Sequence, residues 1–203
     1  MKWVYSIIAV IIASCSGHQR KLDCSLLPAT FEGEAAFAAS NTNIAVIDNH
    51  VWLASGSEKA RIFHSSDKGT SWEVFNTPFI QGGKMTGIFS IDFYDMNLGV
   101  AFGGDWDNQS NNFSNKAITK DGGKSWRLIN DGRDPGYRSC VQFIPNTSGN
   151  GMIAIGIPGI SYTADGGKSW QHINKEYFYT IRIPQSGDVA WLAGKNKIAK
   201  MQW

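Results

Sequence analysis

Three aspartates recur in nearly identical surroundings, and they are the first residues in this chain to suggest chemistry. Asp67, Asp121 and Asp165 each lie in an octet of the form Ser/Thr-x-Asp-x-Gly-x-Ser-Trp: SSDKGTSW, TKDGGKSW and TADGGKSW. Carboxylates in short Gly-containing loops can bind calcium, but the remaining oxygen ligands of an EF-hand loop are missing from these segments. The four histidines also lack metal-ligand spacing. We therefore predict no metal site and no cofactor.

A structural role explains the octets better than a catalytic one. An aspartate in a short turn accepts hydrogen bonds from backbone N–H groups across that turn. The glycine at the fifth position permits a positive φ, and the tryptophan at the eighth position is predicted to pack between neighbouring sheets. These glycines and tryptophans are Gly69, Gly123 and Gly167, and Trp72, Trp126 and Trp170.

The segments that must position the octets read as short strands. Apolar runs ending in glycine precede each octet (VWLASG, VAFGG and IAIG), and alternating runs such as IFSIDF lie further upstream. The octet aspartates are 54 and 44 residues apart. Repeats of about 40–50 residues with four strands each are typical of β-propeller blades. The sequence therefore predicts an all-β protein, a β-propeller of about four four-stranded blades over residues 34–203, whose last blade has no octet.

With this spacing, the octets resemble the Asp-boxes, or BNR repeats, of sialidases, sortilin-like receptors, some glucanases and photosystem II stability/assembly factor-like proteins. The segments GEAAFAAS, ARIFHSSDKGTSW, GIFSIDF, AFGGD and GYRS resemble bacterial exported propellers of the assembly-factor-like or glycosyl-hydrolase-like group. The resemblance implies that each octet forms the hairpin between the third and fourth strands of a blade, on the outer rim. Such proteins usually carry additional N-terminal blades, so this chain corresponds to their C-terminal blades. A closed ring, an open arc, a dimerising half-propeller and a truncated product remain alternatives.

The first residues are typical of an export signal. In MKWVYSIIAVIIASC, Lys2 precedes an apolar run from Trp3 to Ala13, shorter than the about 20 residues that span a bilayer. The ending IASC resembles a bacterial lipobox, which implies a lipoprotein signal peptide over residues 1–14 and a lipidated Cys15; an ordinary secretory signal is the alternative. Residues 15–33 would then be a lipid-anchored tether and lead-in segment.

This interpretation places the protein in the bacterial cell envelope, attached to a membrane through the N-terminal lipid alone. Two further cysteines, Cys24 and Cys140, remain. An oxidising compartment would allow them to form a disulfide, but the sequence does not show whether they meet.

Polar residues at strand ends are the candidates for ligand binding. They are Arg61 before the first octet, Asp105 after AFGG, and Tyr137 with Arg138 in GYRS. For Arg61 and Arg138, the structural alternative is a salt bridge between blades or solvation in a loop. Residues 105–115 (DWDNQSNNFSN) form an insertion, and extra loop length often carries function. The segment IRIP around Arg182 resembles a sialidase motif, but it follows the third octet instead of preceding the first.

Composition and motifs favour binding over catalysis. The net charge of +2 gives no reason to expect nucleic acid as a partner. Phosphate-binding loops, nucleophile elbows and a complete glycosidase constellation are not recognisable. We therefore predict a non-catalytic binding or assembly scaffold for an envelope protein or glycan, with self-association as a way to complete the propeller. The alternatives are a sialidase-like glycoside hydrolase and a degenerate propeller fragment.

Overall fold

The computed structural model describes residues 27–38 and 40–203, and strands are the regular secondary structure of this part. No helix in it is long and apolar enough to cross a membrane. The strands form four antiparallel sheets arranged in a ring, a four-bladed β-propeller. The predicted all-β propeller fold is therefore confirmed.

Each blade is built from strands that follow one another along the chain, from the axis to the rim. Blade 1 consists of β2 (Ile44–Ile47), β3 (His50–Ala54), β5 (Arg61–Ser65) and β6 (Glu73–Asn76). Blade 2 consists of β7 (Thr86–Phe93), β8 (Gly99–Asp105), β9 (Lys116–Thr119) and β10 (Arg127–Leu128). Blade 3 consists of β11 (Cys140–Phe143), β12 (Met152–Gly156), β13 (Gly159–Thr163) and β14 (Gln171–Asn174). Blade 4 consists of β15 (Thr180–Arg182), β16 (Val189–Gly194) and β17 (Lys197–Gln202). Two short strands, β1 (Glu34–Ala35) and β4 (Gly56–Ser57), extend blade 2 beyond β7 through the Gly56–Gly87 pair.

Hydrophobic clusters join successive blades. Trp52, Ile62 and Ile91 belong to the cluster between blades 1 and 2. Further clusters lie between blades 2 and 3, around Phe102 and Val141, and between blades 3 and 4. The apolar side chains of these clusters are removed from water, which is the main force holding the blades together.

Strand patterns follow from how many faces of a blade are covered. β12 (MIAIG) is buried along its whole length because blades 2 and 4 cover both faces of blade 3. β17 (KIAKMQ) alternates between half-buried and exposed residues because a neighbouring blade covers one of its faces. In this sequence, a continuous apolar run therefore indicates a strand packed on both faces, and a period-two run indicates a strand packed on one face.

Hydroxyl groups join the blades near the start of the inner strands. Thr42 Oγ1 donates to Ser90 Oγ at 2.8 Å, and the hydroxyls of Ser40 and Thr42 bond to each other. Ser40 Oγ also donates to the Ser139 carbonyl oxygen at 2.7 Å. Thr180 Oγ1 donates to the Ser40 carbonyl oxygen at 3.1 Å, which connects blade 4 to the segment leading into blade 1.

The interface between blades 4 and 1, which we call the seam, differs from the other three. Ile44 and Val46 are 49% and 62% exposed on the face of blade 1 turned away from blade 2. Trp191 and Ile198 are 52% and 76% exposed on the face of blade 4 turned away from blade 3. Within the described residues, none of the hydrophobic clusters lies at this seam.

The N-terminal expectations lie largely outside the described residues. The signal peptide, Cys15 and Cys24 all precede Leu27, where the described chain begins. Cys140 is a free, fully buried thiol, which Thr42 Oγ1 contacts at 3.6 Å. The end of the lead-in segment packs on blade 1, where the Phe31 ring lies 4.8 Å from the Arg61 guanidinium carbon.

Candidate functional site

The octet aspartates use both carboxylate oxygens within their own turns. In the first octet, Asp67 Oδ1 accepts from the Ser65 hydroxyl and the Ser71 N–H, both at 2.8 Å, and Oδ2 accepts from the Ser71 hydroxyl at 2.6 Å. Asp121 and Asp165 repeat this arrangement. These hydrogen bonds hold the pKa of Asp67 and Asp165 at about 2. A carboxylate engaged in this way is a structural part of the turn.

Each octet also closes through its tryptophan, whose indole N–H donates to the carbonyl of the octet glycine. The distances are 3.1 Å in the first octet, 2.9 Å in the second and 3.2 Å in the third. Trp126 belongs to the cluster between blades 1 and 2, and Trp170 packs edge-on against Phe102 of blade 2. Each of these rings therefore faces the preceding blade. Trp72 is half-buried and belongs to none of the described clusters, because the blade before it lies across the seam.

Arg61 of blade 1 forms an ion pair with Glu34 of β1, the short strand in the sheet of blade 2. Its Nη2 lies 2.6 Å from Glu34 Oε2, and its Nε donates to Glu34 Oε1 at 2.9 Å. The guanidinium lies between the rings of Phe31 and Phe63, at 4.8 and 5.0 Å from their centroids. This geometry favours the structural alternative for Arg61, a salt bridge between blades.

Asp105 and Tyr137 border the insertion, and the structure gives each of them a role in the local fold. Asp105 Oδ1 accepts from the N–H groups of Asp107 and Asn108 at 2.9 and 3.2 Å, and so begins a turn. Tyr137 is buried edge-on against Phe89. Burial raises the pKa of Tyr137 well above its usual range, so the phenol stays neutral.

Arg138 lines a cavity of about 280 Å³, which we call the loop pocket. The insertion forms one wall, the segment after β10 another, and blade 3 the third. The backbone of residue 136 touches the insertion so closely that a Cβ there would collide with the Gln109 carbonyl oxygen. The structure thus brings together Arg138 and the insertion, which the sequence singled out separately.

Two buried polar atoms at the loop pocket have no hydrogen-bond partner. Arg138 is 4% exposed; its Nη1 donates to the Tyr137 carbonyl and its Nη2 to Ser161 Oγ, both at 2.8 Å. Its Nε has no partner, and neither does Oδ1 of Asn112. Buried polar groups are nearly always hydrogen-bonded in proteins. An unmet donor and an unmet acceptor at one cavity are therefore the strongest indication of a ligand in this structure.

One cation, Arg138, and one carboxylate, Asp134, line the loop pocket. Ion pairs in residues 27–38 and 40–203 are Arg61–Glu34 and Lys197–Glu176, so Arg138 has no directly paired carboxylate. Burial lowers the pKa of Arg138 to about 10, and the nearby charge of Asp134 acts in the opposite direction. Lys116 lies below the loops, with a pKa lowered to about 8 by burial. Arg138 is a cation at neutral pH without a directly paired carboxylate, so it is the group in this pocket that favours an anion.

A second polar site lies on the propeller axis, and the sequence interpretation missed it. Residues from the inner strands of all four blades line this axial pocket of about 220 Å³, among them Asp92, Gln142 and Arg182. Asp92 Oδ2 accepts from the Phe143 N–H at 2.7 Å. Burial raises the pKa of Asp92 to about 7, although two backbone N–H groups and the charge of Arg182 act in the opposite direction. The sequence contained one signal for this site: Asp92 is a carboxylate within the alternating strand IFSIDF.

Solved propellers of similar fold include enzymes and binding proteins. No protein-family model and no curated protein matches the chain. A GH74 enzyme of Niastella koreensis superposes with a TM-score of 0.56 at 15% identity, over 76% of this chain and 27% of the enzyme. YCF48 bound to D1 peptide gives 0.53 at 20% identity, over 83% of this chain and 56% of YCF48. An auxiliary nutrient binding protein of Bacteroides thetaiotaomicron VPI-5482 gives 0.55 at 13% identity, over 83% and 39%.

These similarities are similarities of fold. At identities of 13–20%, they carry no residue-level correspondence to the loop pocket or the axial pocket. The chain spans between 27% and 56% of the length of these three proteins. The function of this chain must therefore be argued from its own pockets.

Proposed function

We propose that this chain is a non-catalytic binding propeller of the bacterial cell envelope, whose loop pocket recognises a carboxylate-bearing group on a protein or glycan. The observation that carries the proposal is the buried Arg138, which lines the pocket with an unpartnered Nε and no paired carboxylate. A carboxylate would accept from this Nε and balance the charge. A hydroxyl or amide N–H beside the carboxylate would satisfy Asn112 Oδ1.

Other features support binding rather than turnover. Glycoside hydrolysis needs two carboxyl groups about 5–9.5 Å apart, and Asp134 is the carboxylate that lines the loop pocket. Its Oδ1 already accepts from Asn112 Nδ2 at 3.2 Å. YCF48, a propeller of similar fold, has been solved with a bound peptide, which supports a protein as one class of partner. Export and lipid attachment at Cys15 remain part of the proposal and rest on the sequence resemblance alone.

Titration calorimetry with matched ligand pairs tests the loop pocket. Short peptides with a free C-terminal carboxylate, and oligosaccharides with uronic acids, are compared with the same peptides amidated and the same sugars reduced to neutral forms. We expect binding of at least one acidic form and at least about tenfold weaker binding of its neutral partner. Arg138→Lys should weaken binding by a similar factor because it keeps the charge but removes Nε.

Arg127→Lys, an exposed substitution on β10 away from the pocket, is the control and should leave affinity unchanged. Equal affinity for acidic and neutral partners, or an unaffected Arg138→Lys variant, would contradict the proposal.

A glycoside hydrolase is the second candidate, and Asp92 is the observation that favours it. A carboxyl group with a pKa near 7 in a polar pocket is suited to general acid catalysis. Fluorogenic glycosides provide the measurement: turnover that disappears in Asp92→Asn would replace the binding proposal with this one. Absence of turnover across common glycosides would exclude the hydrolase.

A further inference from the structure

Within the described residues, blade 4 contains three strands. Blades 1, 2 and 3 each contain four strands, of which the fourth follows an octet, whereas β17 is the outermost described strand of blade 4. Within the described residues, β17 pairs with β16 alone, so its outer edge presents unpaired backbone N–H and C=O groups. Such an edge is a ready template for another strand.

An apolar groove lies beside this edge, between blades 3 and 4. Its volume is about 430 Å³, and Ile160, Tyr162 and Ile173 of blade 3 face Met201 and Trp203 of blade 4 across it. Ile173 is 50% exposed and Trp203 is 52% exposed, so a row of apolar side chains at the rim lacks a cover. We call this cavity the rim groove.

In blades 2 and 3, a tryptophan fills the equivalent space at the rim. Each of Trp126 and Trp170 precedes the fourth strand of its blade and packs against the preceding blade near the rim. In the part of the chain that the structure describes, blade 4 has neither an octet nor a fourth strand, and the rim groove is the corresponding space against blade 3. The groove therefore matches a bulky apolar side chain carried on an added strand.

We propose that the β17 edge and the rim groove bind an extended segment of a partner protein, which adds the fourth strand to blade 4 and inserts a bulky apolar side chain into the groove. This is strand addition, in which backbone hydrogen bonds give affinity and alternate side-chain pockets give specificity. The site is separate from the loop pocket, so the two proposals stand or fall independently.

Charge indicates the chemistry of that segment. Lys195, Lys197 and Lys200 lie on the β16–β17 hairpin, and Lys197 pairs with Glu176 at 3.2 Å. Lysines at an edge oppose pairing with neutral or basic strands and attract acidic ones. The segment thus alternates bulky apolar residues with Asp or Glu. A second copy of this chain fits less well, because its octet strands β6, β10 and β14 are already paired within their own blades.

Binding of a designed peptide to the full chain tests the proposal. The probe is the blocked, dye-labelled peptide Glu-Trp-Glu-Val-Glu-Ile-Glu, and its control has the same composition with the apolar residues grouped at one end. We expect the alternating peptide to bind in a fluorescence anisotropy titration at least about tenfold more tightly than the control. Ile173→Lys and Lys200→Glu should each weaken binding by at least about tenfold, whereas Ile157→Lys and Lys168→Glu, on exposed sites outside the groove, should not.

Two further measurements identify the occupant. N-methylation of alternate peptide residues should abolish binding in one register and spare it in the other, as strand pairing requires. In hydrogen exchange, the β17 amides should become protected on peptide addition. Equal binding of both peptides, or full affinity in Ile173→Lys, would overturn the proposal. Protection of the outward-facing β17 amides, those that do not bond to β16, in the absence of peptide would also overturn it. Concentration-dependent protection of these amides would identify a second copy, and concentration-independent protection would identify residues before Leu27.

Discussion

At the scale of single residues, burial and hydrogen bonding distinguish the polar groups available to a ligand from those that hold the fold. The octet aspartates Asp67, Asp121 and Asp165 suggest catalysis because the same motif occurs three times. In each of them, however, both carboxylate oxygens accept hydrogen bonds within the octet's own turn. Arg138 and Asp92 occur once each. Arg138 has an unpartnered Nε, and Asp92 has a pKa raised to about 7 by burial.

Asp92 gives a pH-dependent prediction. The unfolded carboxyl loses its proton near pH 4, but the folded one holds it up to about pH 7. The stability that depends on this group is therefore present below pH 4 and decreases as pH rises to 7. Asp92→Asn, which can still accept from the Phe143 N–H, should raise the free energy of unfolding by about 1–2 kcal/mol at pH 8 and change it little at pH 3.5. The effect at pH 8 is smaller than full burial would give, because the Asp92 side chain is only half-buried. Urea titrations at the two pH values measure the difference, and an equal effect at both would contradict the raised pKa.

Gly136 gives a second prediction at this scale. Its Cα lies so close to the insertion that a side chain would push away the Gln109 carbonyl and approach Asn112 Oδ1. Gly136→Ala should therefore open the loop pocket and abolish its binding, at a stability cost of about 1–3 kcal/mol. Gly82→Ala is a control for glycine replacement, since nothing lies within 4 Å of its Cβ position, although its φ of +90° adds local strain. Calorimetry should show lost affinity in the first variant and retained affinity in the second.

At the scale of elements, the sequence predicted what depends on neighbours along the chain and missed what depends on neighbours in space. Octet spacing and period-two runs gave the strands and the repeat because turns and alternation are local. Arg138 and the insertion were each recognised in the sequence. They lie together in the fold because residues 136–137 contact residue 109, which is distant in sequence. Arg61 pairs with Glu34, and this partner lies 27 positions away.

The octet tryptophans test how the blades are joined. Trp126 is 9% exposed within the cluster between blades 1 and 2, so Trp126→Ala should cost about 3–5 kcal/mol. Trp72 makes the same hydrogen bond to its own turn but belongs to none of the described clusters. Trp72→Ala should therefore cost less than about 2 kcal/mol. Chemical denaturation of the two variants measures the difference, and equal losses would mean that Trp72 is buried across the seam in solution.

At the scale of the whole molecule, four blades are joined by three hydrophobic clusters. The fourth interface relies on polar contacts at the hub, including the hydrogen bond from Thr180 to the Ser40 carbonyl. Exposed Ile44, Val46, Trp191 and Ile198 line the two faces of this seam. Within the described residues, the seam is therefore the interface with the least hydrophobic packing in the ring.

The seam can be tested with two matched substitutions on opposite faces of blade 4. Leu192 is 2% exposed in the cluster with blade 3, and Ile198 is 76% exposed at the seam. Leu192→Ala should cost about 2–5 kcal/mol of unfolding free energy, whereas Ile198→Ala should change it by less than about 0.5 kcal/mol. Hydrogen exchange should show the same asymmetry: amides of β17, covered on one face, should exchange before those of β8, which is buried on both. A large loss in Ile198→Ala together with slow exchange in β17 would mean that blades 1 and 4 pack against each other in solution as tightly as the other pairs.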